Sequence, residues 1–259
     1  MTGNLTFLPI HAAGLYAAKD QPKVSDYVVS SYTPTLAALL NAQRRVPKRG
    51  NNPQLLIVTQ SATPGQNPLP GTVNEADTIQ RQTGRLHLVH LDDQAATVPA
   101  VLKHMTESSW IHLACHGTQD PVNPTDSAFI LIDGQLTLRE IMKQSFSHTE
   151  LAFLSACETA MGDGELPGEA IHLAAGMLMA GYSSVVATMW SIQDDDAPIV
   201  AEKFYKYLME NAGGDSGRAA YALHEAVAHL AEVRGEDKFM RWAPFIHLGI
   251  CSPSRPPPE

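Results

Sequence analysis

Residues 110–117 read Trp110-Ile111-His112-Leu113-Ala114-Cys115-His116-Gly117, and residues 151–159 read Leu151-Ala152-Phe153-Leu154-Ser155-Ala156-Cys157-Glu158-Thr159. Each stretch is a short apolar run that gives way to polar residues, and neither alternates apolar with polar side chains. A strand buried on both faces has that pattern, because helices cover a parallel sheet above and below. Each run also ends near a side chain able to do chemistry, His116 in the first and Cys157 in the second. In an open parallel sheet, ligands bind in the crevice beyond the carboxyl ends of the strands. With a helix between them, two such strands can lie side by side, which would bring His116 and Cys157 to one edge.

Working outward, comparable runs at 54–59, 85–91, 128–132 and 184–189 read as further strands, and 245–250 as a last one. Amphipathic stretches at 72–82, 97–107, 137–145, 168–181, 195–211 and 216–234 read as helices between them. Thr33-Pro34 reads as an N-cap followed by proline in the first turn, opening a helix with Leu36, Leu39 and Leu40 on one face. In the helix over 168–181, Ala174, Ala175 and Gly176 permit close packing against the sheet. Alternating strands and helices predict an α/β three-layer sandwich with a mostly parallel central sheet. The turn-rich loop 60–71 is expected to be mobile, and the proline-rich tail 253–259 to be disordered. No internal repeat is visible, and only a weak composition shift falls near residue 108.

Bulk composition narrows the function. The formal net charge of −9, with basic residues gathered only in the short run Arg44-Arg45-Val46-Pro47-Lys48-Arg49, argues against phosphate-backbone binding as the main activity. Three cysteines, Cys115, Cys157 and Cys251, are too few for a disulfide scaffold and point to a reducing, cytoplasmic setting. No apolar run reaches the roughly 18 residues that span a bilayer, and the start lacks the basic and apolar regions of a signal peptide.

The chemistry favours a cysteine nucleophile. A free thiol is only partly ionised at neutral pH, and an adjacent imidazole acts as its base or stabilises the thiolate. Gly117 lets a substrate carbonyl approach the backbone, so the N–H groups of Gly117 and Cys157 are candidates for an oxyanion hole. No third side chain offers itself, which leaves a backbone carbonyl to orient the histidine. The plainer readings apply elsewhere. His87, His90 and His112 read as satisfied core groups, His11 as a structural loop residue, and Cys115 and Cys251 as small core hydrophobes. No Cys-x-x-Cys pattern suggests a metal site, and no cofactor signature is present.

His-Leu-Ala-Cys-His116-Gly117, Leu-Ser155-Ala-Cys157-Glu-Thr and Gly181-Tyr-Ser-Ser-Val-Val-Ala-Thr-Met-Trp190-Ser191-Ile-Gln-Asp194 together resemble the signature of CHAT domains, caspase-like modules related to separase. Leu8-Pro9-Ile10-His11, Ser31-Tyr32-Thr33-Pro34 and Trp242-Ala243-Pro244-Phe245 resemble other blocks of that family. The resemblance implies a caspase-hemoglobinase-like fold over residues 1–252, with an N-terminal half at 1–107 and a catalytic half at 108–252. It implies a cysteine endopeptidase with His116 as base and Cys157 as nucleophile, active in regulated proteolysis such as programmed cell death.

In the related separases an acidic residue at the Trp-x-x-x-Asp position lines the pocket for a basic P1 side chain. Here that position is Asp194, so cleavage after Arg or Lys is expected, with Trp190, Ser191 and Ser155 completing the substrate site. Asp195 or Asp196 is expected to cap the following helix. The expected partners are a protein or peptide substrate and the helical-repeat regulatory region of a longer parent protein, with no nucleic acid and no membrane insertion. A catalytically silent or latent domain serving as a protein-interaction module has the same fold and is the alternative.

Overall fold

The computed structural model describes residues 8–16, 21–44, 53–120, 122–144, 146, 148–155 and 170–252. Cys157 and the tail 253–259 lie outside the described residues, as do Glu158 and Ala156. Among the described residues the strands are β1 (Gln54–Thr59), β2 (His87–Asp92), β3 (Trp110–Ala114), β4 (His116–Thr118), β5 (Ala128–Leu131), β6 (Gly134–Thr137), β7 (Leu151–Leu154), β8 (Ser184–Thr188) and β9 (Phe245–Gly249). The helices are α1 (Leu36–Arg44), α2 (Gly71–Thr83), α3 (Val98–Glu107), α4 (Leu138–Met142), α5 (Ala170–Ala180), α6 (Ala197–Glu210), α7 (Ala219–Arg234) and α8 (Phe239–Trp242).

Six strands form the central sheet in the order β2-β1-β3-β7-β8-β9, parallel except for the antiparallel edge strand β9. The continuous apolar runs are the fully buried strands. Leu55, Leu56, Ile57 and Val58 of β1 are all inaccessible to solvent, each stabilising the fold by about 2 kcal/mol through burial. Helices α2, α6 and α7 cover one face, where Ile79, Phe204 and Leu223 join Ile57, Trp110 and Phe153. Helices α3, α4 and α5 cover the other, where Met105, Ile141 and Met177 join Leu56, Ile111 and Ala152. The result is a three-layer α/β sandwich.

Three local expectations change. Residues 128–131 are not a strand of the central sheet; β5 pairs antiparallel with β4 and β6 in a separate three-stranded sheet. The first helix is capped by Thr35, whose Oγ1 accepts from the Ala38 N–H at 3.0 Å, and not by Thr33. Gly176 serves a helix contact rather than the sheet, since a Cβ there would collide with the Leu138 side chain of α4.

The sheet has one topological switch. From β1 the chain leaves to α2 on one face, whereas from β2 it crosses through α3 on the other face to reach β3. A crevice opens between the carboxyl ends of β1 and β3 in such a topology. The segments that follow these two strands, 60–70 and 115–118, meet there.

Candidate active site

β3 and β7 are parallel neighbours, with Leu113 opposite Leu154 at their carboxyl ends. In the sequence, His116 and Cys157 each stand three residues beyond that pair. His116 opens β4, which departs from the main sheet and is held by pairing with Ile130 of β5. Its side chain is 1% exposed. Nε2 of the ring lies 2.8 Å from the Asn67 carbonyl oxygen. A carbonyl can only accept, so Nε2 carries a proton, and the tautomer compatible with this bond is the one whose basic nitrogen is Nδ1. The orienting group is therefore a backbone carbonyl, in the loop that follows β1.

That loop is braced along its length. Gln60, fully buried, donates its N–H to the Ala114 carbonyl at 2.9 Å, two residues before His116. Leu69 N–H donates to the Ser61 carbonyl at 2.9 Å and closes the loop on itself, while Gln66 N–H donates to the Thr63 carbonyl at 3.1 Å. Thr63 and Leu69 are buried. The turn-forming composition of 60–71 produces a compact surface loop tied at both ends, not the loose segment its residues suggest.

Beneath the crevice lies a polar network within the core. Glu75 on α2 is 1% exposed. Its carboxylate accepts from His112 Nε2 at 3.0 Å and from the Ser155 hydroxyl at 3.1 Å. His112 Nδ1 lies 3.2 Å from the Tyr205 hydroxyl, and its ring stacks on Phe153 at 4.7 Å. With Nε2–H given to Glu75 and Nδ1 accepting from Tyr205, the buried carboxylate and imidazole are both satisfied. Burial, with Glu75 nearby, holds the Tyr205 hydroxyl well above its usual pKa, so it stays a donor. His112 is thus a satisfied core histidine. Glu75 could have been suspected from the i, i+3, i+4 set of Thr72, Glu75, Ala76 and Ile79, which puts it on the buried face of α2.

The remaining sequence-nominated residues are placed as follows. Ser155 is buried, its hydroxyl committed to Glu75. Trp190, just past β8, is partly buried and donates from Nε1 to the Met240 carbonyl at 3.2 Å, and Ser191 beside it is exposed. Asp194 is partly buried, and its Oδ2 accepts the Gly71 N–H at 2.6 Å where α2 begins. Asp196 occupies the N-cap position of α6 but makes no side-chain cap bond. Fully buried, it pairs with Arg234 and Arg241, and Asp195 pairs with the same two cations. Neither acid supplies the expected cap, because two guanidinium groups outcompete a backbone N–H for the carboxylates.

His11 bonds the Tyr32 hydroxyl at 2.7 Å and the Ala243 carbonyl at 3.0 Å, a structural role. His90 bonds Thr59 and Gln80, whereas His87 is exposed and is not a core residue. Cys115 is fully buried; Cys251 is partly exposed, and burial raises its thiol pKa. Among the described residues no cluster of metal-ligating side chains is present, and no helix is long and apolar enough to cross a membrane.

The family model for the CHAT domain matches residues 1–250 of the chain. No curated protein matches its sequence. Among solved structures it is similar to the Arg-specific cysteine proteinase gingipain R (RgpB), with a TM-score of 0.54 and 11% identity over 77% of this chain and 46% of that one. The complex of the pro- and mature domains of Porphyromonas gingivalis RgpB gives a TM-score of 0.53 and 12% identity over 76% and 47%. The Saccharomyces cerevisiae separase–securin complex gives 0.55 and 15% over 88% of this chain and 14% of that one. At these identities the shared property is the fold, a caspase-like α/β sandwich. The chain spans less than half the length of each of these chains.

Proposed function

The chain belongs to the CHAT domain family, and on that premise we propose that it is a cysteine endopeptidase in which His116 is the base and Cys157 the nucleophile. The observation that carries this reading is the state of His116. Its ring sits at the carboxyl edge of the sheet with Nε2–H donated to Asn67, which makes Nδ1 the nitrogen that takes a proton from a thiol. The Cys157 thiolate attacks the substrate carbonyl, and the N–H groups of Gly117 and Cys157 stabilise the oxyanion. His116 returns the proton to the departing amine, and water then hydrolyses the thioester with the same histidine as base.

The substrate is a protein or peptide cut after Arg or Lys, with Asp194 as the acidic wall of the P1 pocket. Two observations support that assignment. Asp195 and Asp196 are neutralised by Arg234 and Arg241, while the described partner of Asp194 is a neutral backbone N–H. One structural neighbour is an Arg-specific proteinase. Trp190, Ser191 and the backbone of Ser155 complete the substrate site. Residues 1–252 act as one peptidase unit, with the half at 1–107 supplying the Asn67 carbonyl and the half at 108–252 the dyad. The reading extends to regulated proteolysis in the cytoplasm, including programmed cell death, under control of a protein partner or a helical-repeat region of a longer parent.

The test is a fluorogenic peptide panel varied at P1, read for the wild type, Cys157→Ala and His116→Ala. Cleavage after Arg or Lys is expected, abolished in Cys157→Ala and reduced about 100-fold or more in His116→Ala. Selective alkylation of Cys157 over Cys115 and Cys251 is expected alongside. Absence of both cleavage and selective alkylation overturns the peptidase reading in favour of a binding module.

A further inference from the structure

Asp93, immediately after β2, is the only non-glycine residue among those described with a positive φ, at 30°. Such a conformation is costly for a side-chain-bearing residue and persists only where the surroundings impose it. The contacts around Asp93 show what imposes it. One carboxylate oxygen accepts the Ser61 N–H at 2.7 Å, and the other accepts the Ser61 hydroxyl at 2.8 Å. The Ala62 N–H approaches the first of these oxygens at 3.4 Å. The Asp93 carbonyl accepts from the buried Gln60 side-chain amide at 2.7 Å, and the same side chain's oxygen receives the Thr63 hydroxyl at 3.3 Å. Both the backbone and the side chain of Asp93 are therefore turned onto residues 60–63.

Residues 60–70 form the loop whose Asn67 carbonyl faces His116. Its far end is held where Asp194 takes the Gly71 N–H. A carbonyl on an unbraced loop would sample many orientations, and a hydrogen bond is lost steeply as its angle falls away from linearity. The strain at Asp93 fits a residue whose task is to fix that carbonyl. We propose that Asp93 is a positioning residue for His116, acting through the 60–70 loop to hold the Asn67 carbonyl on Nε2–H and so to fix the ring tautomer and orientation. The proposal rests on the reading of His116 as base for its catalytic consequence, but not for its structural one. It also assigns the end of the edge strand β2 a part in the reaction.

The experiment reads the histidine directly. In a Cys157→Ala background, the His116 Nε2–H resonance and its exchange with water are followed by 15N-labelled histidine NMR, for Asp93, Asp93→Asn, Asp93→Ala and Ser61→Ala. In the Asp93 protein, a single Nε2–H tautomer with slow exchange is expected. Asp93→Ala is expected to speed exchange at least about tenfold and to admit the Nδ1–H tautomer, consistent with loss of one braced hydrogen bond. Asp93→Asn, which tolerates positive φ and keeps one acceptor oxygen, restores most of the protection, and Ser61→Ala falls between. With Cys157 intact, kcat should follow the same order while KM stays within about twofold. Unchanged exchange and tautomer in both Ser61→Ala and Asp93→Ala overturn the proposal, whatever the activity. If Asp93→Ala does not fold, Ser61→Ala decides, since it removes the hydroxyl that donates to Asp93. Loss of protection with no His116-dependent cleavage in any protein would leave the clamp standing and remove the peptidase reading instead.

Discussion

Asp194 carries two demands on one carboxylate. It accepts the first N–H of α2 through Oδ2, and in the proposed site its charge faces a basic P1 side chain. Asp194→Asn separates the two, since an amide oxygen still accepts from Gly71 but the charge is gone. Thermal stability should be nearly unchanged, while kcat/KM for Arg and Lys substrates falls at least about tenfold. Asp194→Ala should lower both. Retained preference for Arg and Lys in Asp194→Asn would place the pocket elsewhere. At this scale the sequence announces His116 and Cys157, because a strand end marks each of them. It is silent on Asn67, because any residue can supply a carbonyl and no side-chain identity marks the position. Asp93 is equally hidden, since a strained backbone angle is a property of the folded loop.

Helix α2 joins the two halves of the site, with its first residue on Asp194 and its buried face holding Glu75. A Cβ at Gly71 would run into the Asp194 carbonyl and carboxylate. Neither can retreat without pulling the 190–196 segment away from the helix. Gly71→Ala is therefore expected to cost about 2 kcal/mol through overpacking, despite alanine's better helix propensity. For a chain of this size that is a fall in Tm of roughly 6 °C, with lower activity on basic substrates. Gly84 closes the same helix at negative φ, and a Cβ there meets only the Gln80 carbonyl oxygen at 3.6 Å. Gly84→Ala should leave Tm unchanged or slightly raised, and an equal loss in both variants would refute the clash. Elements of the central sheet were readable because burial on both faces demands unbroken apolar runs. The short strands β4 and β6 were not, since His116–Thr118 and Gly134–Thr137 are largely polar and become strands only by pairing with β5.

Across the whole molecule, the N-terminal segment closes the exposed edge of β9, where unpaired backbone would otherwise invite association. Tyr32 N–H donates to the His247 carbonyl, and Gly249 N–H donates to the Tyr32 carbonyl. Two histidines lock this seam. His247 bonds Ser31 and Ser184 at 2.7 Å each, and burial pushes its pKa down to about 3. His11 bonds Tyr32 and Ala243, and burial lowers it to about 4 against the opposing pull of the Ala243 carbonyl. Both are neutral in the folded protein at pH values where the unfolded chain, titrating near 6.5, already holds their protons. The unfolded state then binds more protons, so stability rises with pH through this window and falls as pH drops below about 6.5, down to about 4 for His11 and about 3 for His247. Each histidine contributes a slope of up to about 1.4 kcal/mol per pH unit between these limits. Denaturant unfolding of the wild type and His247→Gln, taken every half unit from pH 4.5 to 8, should give a steeper slope for the wild type by about that amount below pH 6. Above about pH 7.5 the two curves should run parallel, because His247 is then neutral in both states. Parallel curves over the whole range would mean that His247 titrates in the folded protein as it does in the unfolded chain, and that the N-terminal seam is open to water.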